Sequence, residues 1–240
     1  MYTLLIALVL AGISAAVLWT VTGSVILSVI FPVIVVVLVN VLFGRHFYKK
    51  MMALMEAVEK DIKADRIDIA IEKLKSGYAF SNWQFMSRKQ IDSQIGSLLY
   101  ARKRFDEAYP LLSNSIAKNW PAMCMLASYH YRNKDYEKAF KVMDKTVASN
   151  KKEGFVYSLY AFMLSEQGKV DKAIDVLNKG VKKLPLDEKL SGELDAVKNK
   201  KKIKMQAYGA FWMQMHLGAK TQDGVKQYQS FLMNQKVRRR

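Results

Sequence analysis

Residues 134–143 read KDYEKAFKVM, and residues 168–177, thirty-four positions later, read GKVDKAIDVL. In both stretches a Lys-Ala pair follows an acidic residue, and a large apolar residue, Met143 or Leu177, stands four positions after the alanine. A period of about 20 to 50 residues is typical of repeat proteins, in which each repeat buries its apolar face only against its neighbours. This recurrence therefore predicts stacked helical repeats instead of one globular core.

The thirty-four-residue period resembles that of the tetratricopeptide repeat (TPR) family, whose repeat is a helix-turn-helix with marked small and aromatic positions. Placing Ala139 and Ala173 at the family's alanine gives central repeats at 120–153 and 154–187. The later repeat then carries Tyr157, Tyr160, Ala161, Leu164, Leu177 and Pro185 at other marked positions, and the earlier one carries Met123, Leu126, Ala127, His130 and Met143. Sliding the template upstream adds repeats near 89–118, through Ala108, and near 51–80, through Ala70. The resemblance implies an all-α chain in which residues 51–187 form an α-solenoid of TPR-like helix pairs.

The first 44 residues contain no Asp, Glu, Lys, Arg or His, whereas all 38 Lys and Arg lie after them. A single helix of residues 1–43 would measure roughly 63 Å, about twice the hydrocarbon thickness of a bilayer. The turn-forming stretch at 20–24, which follows Trp19, divides this tract. The region 1–44 is therefore predicted to form two transmembrane helices, about 2–20 and 24–43, in a hairpin. A cleaved signal peptide is disfavoured because the tract lacks a basic start and is too long.

Small residues at four-residue spacing indicate how the two predicted spans would pack. The pairs are Ala11 with Ala15, Gly12 with Ala16, and Ser24 with Ser28. Such spacing places small side chains on one face of each helix, where two backbones can approach closely. We therefore expect an antiparallel contact along these faces.

A basic juxtamembrane segment, residues 45–50, follows the second predicted span, while the turn between the spans carries no charge. The positive-inside rule places this segment and the residues after it in the cytoplasm. The single Cys124 excludes an intramolecular disulfide framework and fits a reducing compartment. The predicted location is a bacterial-type inner (cytoplasmic) membrane, with multi-pass anchoring and a cytoplasmic repeat domain.

Residues 188–240 are predicted to form basic C-terminal capping helices and a tail, with twelve Lys and Arg against four Asp and Glu. A polar helix near 186–202 is followed by a more apolar helix at 203–217, IKMQAYGAFWMQMHL, and by a final amphipathic helix. The candidate contacts with anionic lipid are Arg45, Lys49, Lys50, Lys200, Lys201, Lys202, Arg238, Arg239 and Arg240. A solvated face and an acidic protein partner remain open alternatives, and nucleic-acid binding is disfavoured. The apolar helix either packs on the last repeat or meets a partner or the membrane.

No catalytic residue, cofactor or metal site is predicted. The three histidines, His46, His130 and His216, stand far apart without cysteine or carboxylate partners at ligand spacing. The twelve glycines form no phosphate-binding loop, and Cys124 lies among apolar residues without a base at hand. An enzyme that uses His216 and Asp223 is the alternative from another class, and no nucleophile arrangement supports it.

In tetratricopeptide proteins the ligands are usually extended or helical peptides on the concave face that the first helices line. The resemblance implies the same partner groove here. Its candidate residues are Ser93, Ser97, Tyr100, Ser128, Tyr131, Arg132, Ser158, Phe162 and Ser165. Only Arg132 stands where a carboxylate clamp needs a basic residue, so recognition of a partner's C-terminus is not expected.

The predicted function is that of a membrane-anchored TPR adaptor or scaffold, which binds a protein partner and performs no chemistry of its own. Its domain order is similar to that of inner-membrane tetratricopeptide proteins of the PelE-like and HemY-like kinds, which implies an accessory subunit of a cell-envelope complex. The alternative is a membrane-organising protein whose basic C-terminal cap acts on anionic lipids.

Overall fold

The computed structural model describes residues 2–80 and 87–218, and within these ranges every regular element is a helix. The all-α class expected from the repeat period is thereby confirmed. The chain divides into two compact units after Leu98, and the two are described separately.

The N-terminal unit begins with two long helices, α1 (Tyr2–Thr22) and α2 (Val25–Lys63), which pack against each other. Gly23 joins them with φ +61°, a left-handed conformation that glycine adopts without a steric penalty. Both helices are long and apolar enough to cross a membrane. Their large apolar side chains are mostly exposed, as on Leu5, Val9 and Ile26. This surface has the composition of one that faces lipid.

The face of α1 that packs is marked by Thr3, Ala7 and Ala11, which are buried at four-residue spacing. The predicted contact is therefore correct for Ala11 and wrong for Gly12, which is exposed and would have no atom within 4 Å of an added Cβ. Residues one position apart on a helix point about 100° apart, so only one of the two small-residue stripes can face the partner helix.

Helix α2 does not end where the predicted second span ends. It passes through Pro32 and the basic segment 45–50 and stops at Lys63, a length of about 58 Å at ~1.5 Å per residue. Its last part packs against α3 (Ile67–Ser76), and this pair occupies the first predicted repeat, 51–80. The predicted second span and the first helix of this repeat are thus one continuous helix. A 3₁₀ turn, Gly77–Phe80, follows α3.

Asp61 fixes the turn between α2 and α3. Its carboxylate is 2% exposed and pairs with Arg66 Nη2 at 2.7 Å and with Lys73 Nζ at 2.5 Å. The hydrogen bond from Lys73 holds the pKa of the Asp61 carboxyl below its ordinary value, and the charge of Arg66 adds to this effect. A buried carboxylate with two cationic partners resists protonation, so the contact is present at neutral pH and is lost in acid.

Helix α4 (Ser87–Ala101) leads into the C-terminal unit. The longer helices of this unit are alternately the second and the first helix of successive repeats. They are α5 (Phe105–Ser113), α6 (Trp120–Arg132), α7 (Tyr136–Ser149), α8 (Gly154–Glu166), α9 (Val170–Lys183) and α10 (Glu188–Lys198). Helix α6 packs with α7 and α8 with α9, while α10 packs on both α8 and α9. The alanines expected at close helix contacts, Ala108, Ala127, Ala139, Ala161 and Ala173, are all 0% exposed.

One turn geometry closes the first helix of each repeat. In these five turns one residue has a positive φ: Asp65, Lys103, Lys134, Gly168 and Lys200. At each of them the following residue donates its backbone N–H to the carbonyl five positions before it, with N–O distances of 2.8 to 2.9 Å. This is the bond of a Schellman motif, which satisfies a helix-terminal carbonyl. The fifth turn, at Lys200, marks α10 as the first helix of a further repeat.

Within the described residues, no helix as long as the earlier second helices follows that fifth turn. A 3₁₀ turn, Met205–Tyr208, and a five-residue helix, α11 (Ala210–Gln214), stand where a continuous helix over 203–217 was predicted. That prediction is wrong because Gly209 adopts φ +54° and ψ −120°, which no helix contains. The predicted final helix beyond residue 218 lies outside the described residues.

Gly180 sets the close approach of α9 to α8. An added Cβ would lie 2.9 Å from Cγ and 3.1 Å from Cβ of the buried Tyr157. Gly192, in contrast, is exposed within α10 and has no atom within 4 Å of the same position. The two glycines therefore separate the effect of packing from the effect of helix propensity.

We expect Gly180→Ala to lower the free energy of unfolding by roughly 1–3 kcal/mol, since the methyl group overpacks the contact with Tyr157. The control Gly192→Ala should raise it by about 0.5–1 kcal/mol, because alanine favours an exposed helix interior. Urea denaturation of both variants measures the difference. Stabilisation by Gly180→Ala equal to that by Gly192→Ala would show that α8 and α9 lie farther apart than described.

Candidate functional site

The surface formed by α6, α8, α10 and the end of α4 from Leu99 to Ala101 is here called the first-helix groove. Residues 203–217, the C-terminal segment, lie in this groove. Met205, Trp212 and Met215 of the segment are 1%, 7% and 1% exposed. A polar and apolar contact network holds the segment at three places along its length, all within the C-terminal unit.

The first place is the hydroxyl of Ser158, in the middle of α8. Ser158 is 0% exposed and donates a short hydrogen bond to the carboxyl of Glu193 on α10. Its oxygen lies 2.6 Å from the hydroxyl of Tyr208, which donates to Ser158 because the serine proton is already used. Lys189 of α10 completes this site by donating to the carbonyl of Ala207 at 3.0 Å.

The second place is an aromatic cluster at the start of α6 and α8. The ring of Phe211 packs 5.1 Å from Trp120 and 5.8 Å from Phe155, measured between centroids. Two helical turns farther along α8, Trp212 meets Phe162 edge to face at 4.9 Å. Such offset and edge-to-face arrangements are favoured by aromatic rings beyond their buried area. Two adjacent residues of the segment thus contact aromatic side chains at two separate positions along the groove.

The third place is near the end of α4, where two side chains bind backbone carbonyls. Tyr100 donates its hydroxyl to the carbonyl of Met215 at 3.0 Å, and Arg132 donates from Nη1 to the carbonyl of His216 at 3.0 Å. The Arg132 guanidinium also lies 4.0 Å above the ring of Phe105. Hydrogen bonds to main-chain carbonyls orient a peptide without selecting its side chains, whereas the aromatic cluster selects them.

The structure therefore brings four of the predicted groove residues into direct contact with the segment: Tyr100, Arg132, Ser158 and Phe162. Ser128 is 0% exposed, and Ser165 is half-buried on α8. Tyr131 is half-buried, accepts a hydrogen bond from Gln167 at 3.0 Å and packs on the ring of Tyr136. Ser93 and Ser97 belong to the N-terminal unit, and their hydroxyls donate to carbonyls of their own helix at 2.7 Å.

Sequence reasoning missed Trp120, Phe155, Lys189 and Glu193 as groove residues. Their signal in the sequence is weak, because none of them stands at a marked position of the family pattern. Trp120 and Phe155 share one feature, a position in the first turn of a first helix. An aromatic residue there recurs in both central repeats and now appears as the wall of the aromatic cluster.

The lipid-contact candidates fall into two groups that the structure describes and one that it does not. Arg45, Lys49 and Lys50 are exposed on α2 of the N-terminal unit. Lys200, Lys201 and Lys202 are exposed in the C-terminal unit, where Lys201 and Lys202 help to line an open cavity of about 310 Å³ beside Glu188. Arg238, Arg239 and Arg240 lie outside the described residues.

The described residues contain no cluster of three His, Cys, Asp or Glu side chains that could hold a metal ion. Cys124 is 0% exposed, and burial raises the pKa of its thiol, which leaves it protonated and unreactive. The ring of His216 packs against Tyr100 and Phe105, at 5.6 Å from each centroid. Burial lowers the pKa of His216, and the charges of Arg132 and Lys103 lower it further. These groups are packed rather than poised for catalysis.

Glu193 is the titratable group whose environment departs most clearly from that of a surface carboxyl. Burial, with a smaller contribution from the charge of Asp187, raises the pKa of Glu193 to about 7, although the hydrogen bond from Ser158 and the charge of Lys189 oppose the shift. The protonated form is therefore the one that the packed site favours.

Part of the chain matches a family model, that of anaphase-promoting complex, cyclosome, subunit 3, over residues 102–180. This range contains α5 to α8 and most of α9, and the match agrees with TPR-like repeats there. Among solved structures, "MamA RS-1 ArsTM double mutant" is similar at 15% identity and TM-score 0.47, over 69% of this chain and 93% of that one. "MamA MSR-1 C2" is similar at 16% identity and TM-score 0.44, over 70% and 95%. A comparison with curated proteins finds no match.

Replacing Glu193 by Gln removes its titration and isolates its effect on stability. In the native chain the buried site is stable below the ordinary carboxyl pKa of 4.5 and loses stability as pH rises through about 7, because burial disfavours the carboxylate. We therefore expect the Tm of Glu193→Gln minus that of the wild type to grow from about pH 4.5 to 7 and to level off above about pH 8. A difference independent of pH would show that Glu193 ionises as it does in an unfolded chain.

Proposed function

We propose that this protein is a membrane-anchored TPR-like scaffold that binds a protein partner through its first-helix groove. The observation that carries the proposal is the C-terminal segment itself, a peptide held in the groove by aromatic contacts and by donors to its carbonyls. A TPR-like fold is typical of protein-interaction scaffolds. A groove that already binds a peptide by these means has the chemistry needed to bind one from a partner.

Different residues of the groove would supply affinity for a peptide and selectivity among peptides. Tyr100, Arg132 and Lys189 each donate to a backbone carbonyl, a group that every peptide offers. Phe155 and Phe162 contact aromatic side chains, which only some peptides offer. Buried aromatic and Arg residues are the usual source of binding energy in interfaces. The expected partner is therefore a protein segment with bulky aromatic side chains.

The proposed anchor consists of α1 and the apolar part of α2. Both helices expose large apolar side chains along their length, and the charged residues begin only at Arg45. With the positive-inside rule, the repeats lie on the cytoplasmic side of a bacterial-type inner membrane. Because α2 runs on to Lys63 without a break, the first helix pair is attached to the membrane by a helix rather than by a flexible linker. This arrangement suits an accessory subunit of a cell-envelope complex.

Cysteine labelling of intact bacteria tests the topology. Ser24→Cys, in the turn between the two helices, should react with a membrane-impermeant maleimide added outside. Lys50→Cys should react only after the cells are permeabilised, and the native Cys124 should add little background because it is 0% exposed. Labelling of Lys50→Cys in intact cells, with Ser24→Cys protected, would reverse the proposed orientation.

Co-purification from solubilised membranes tests the groove. Tyr131→Ala and Phe162→Ala each remove an aromatic side chain on a first helix, so we expect at least about a tenfold loss of a specific partner, as for truncation of an interface hot spot. The matched control is Lys172→Ala, an exposed residue of the second helix α9, which should retain the partner. Circular dichroism should show the same helix content in all three variants.

If the proteins recovered with Tyr131→Ala and Phe162→Ala are the same as with the wild type, the groove is not the partner site. A partner lost equally with Lys172→Ala would point to the second helices instead. Either result contradicts the proposed function while leaving the fold as described.

A further inference from the structure

The C-terminal segment follows α10 at the position where each earlier repeat has its second helix. Helix α10 ends in the same positive-φ turn as the four earlier first helices, at Lys200, and the bond from Lys201 N–H to the carbonyl of Ala196 is 2.8 Å. In each earlier repeat a helix of nine or more residues follows that turn. After Lys200 the chain instead runs without helix to Lys204 and enters the groove.

We propose that the C-terminal segment is an internal ligand of the first-helix groove, which must leave before a partner segment of the same aromatic pattern can bind. The pattern is a tyrosine, an aromatic pair three and four positions later, and a methionine three positions after the pair, as in Tyr208, Phe211, Trp212 and Met215. The inference rests on the proposed function and specifies the partner chemistry and the regulation of that same site.

Exclusion follows from the contacts. Phe211 covers Trp120 and Phe155, Trp212 covers Phe162, and Tyr208 occupies the space beside the Ser158 hydroxyl, to which it donates. The donors Tyr100, Arg132 and Lys189 are already used on carbonyls of the segment. A second peptide would need the same rings and the same donors. The groove therefore holds either the segment or a partner, but not both.

The segment is built to detach without unfolding the repeats. Its own helix has five residues, too short to be stable alone. Phe211 remains 47% exposed although its ring contacts the groove, and Met213 is 36% exposed. The connection through Lys200, Lys201 and Lys202 is exposed, so the segment can swing away while α10 stays packed on α8 and α9. Beneath it, Ser158 keeps Glu193 as its partner when Tyr208 has gone.

The polar groups beneath the segment also favour a reversible contact over permanent core packing. The base of the groove contains a carboxyl, Glu193, and a guanidinium, Arg132, at the two ends of the segment. Groups of this kind are hydrated readily when the groove opens, whereas an entirely apolar groove would not tolerate an open state. The aromatic cluster between them supplies the selective contact.

Peptide titration of the full chain in detergent or nanodiscs tests the proposal. The probe is a fluorescent peptide of residues 203–218, IKMQAYGAFWMQMHLG, and the measurement is its Kd by anisotropy. Because a closed groove reduces apparent affinity by the fraction that is open, the double variant Phe211→Ala/Trp212→Ala should bind the probe at least about tenfold more tightly than the wild type. The control Gln214→Ala, an exposed residue of the same helix, should bind it like the wild type.

A milder variant guards against misfolding of the double variant. Tyr208→Phe removes only the hydroxyl that reaches Ser158 and should give an intermediate Kd. A probe peptide with alanine at the positions of Phe211 and Trp212 should bind none of these proteins. Equal affinity of the wild type, Tyr208→Phe and the double variant for the probe would overturn the proposal, as would failure of both open variants to bind it.

Repeating the membrane co-purification with the double variant separates this inference from the proposed function. More partner with the double variant than with the wild type supports both. Equal recovery by the two overturns the internal ligand and leaves the scaffold function intact. Tight probe binding without any groove-dependent partner keeps the internal ligand and overturns the scaffold function. A wild-type dimer that the double variant cannot form would assign the segment to a second copy and overturn its internal role.

Discussion

The contact between the C-terminal segment and α8 is the constraint on which the C-terminal unit depends. Helix α8 reads GFVYSLYAFMLSE and is apolar all round, and its residues from Phe155 to Ala161 and at Met163 and Leu164 are buried. Each side of such a helix needs a cover, which the segment supplies on the groove side and a bound partner would supply in its place. The second helices and α10 cover part of it, and Tyr208, Phe211 and Trp212 pack on the side that lines the groove. The segment is thus the last layer of the solenoid as well as a ligand of it.

The same contact explains how a serine is accommodated in the middle of an apolar helix. Ser158 stands in the middle of α8, where a hydroxyl without a partner would be costly to bury. Glu193 accepts its proton and Tyr208 donates to its oxygen, so one serine joins α8, α10 and the segment. Burial holds the pKa of Glu193 near neutral, at about 7, which links this junction to pH. The polar contact fixes the register, and the aromatic cluster beside it supplies the buried area.

The repeats followed from the sequence because the features that define them are local and periodic. Ala139 and Ala173 with their large apolar partners recur at a fixed spacing, and each is buried between the helices of its own pair. The course of residues 203–217 did not follow, because it depends on contacts with Tyr100, Arg132 and Ser158, which lie some 50 to 115 positions away in sequence. The positive φ of Gly209 breaks a segment whose apolar spacing alone favours a helix.

The predicted membrane spans show a second feature that the sequence pattern alone does not locate, the end of a helix. Hydropathy marks where an apolar stretch ends, near residue 43, but helix propensity and packing decide where the helix ends, and α2 continues to Lys63. Asp61, with its partners Arg66 and Lys73, supplies the stop. The first helix pair is therefore continuous with the predicted second span, and the groove-bearing repeats follow it along the chain.

Hydrogen exchange of the full chain in nanodiscs tests the central claim most directly. If the C-terminal segment fills the groove, peptides covering Met205–His216 should exchange at least about tenfold more slowly than an unstructured chain. Phe155→Ala should abolish that protection while α6 and α9 remain protected. Exchange of the wild-type segment at the rate of an unstructured peptide would contradict the account, because the groove would then be open and the segment free.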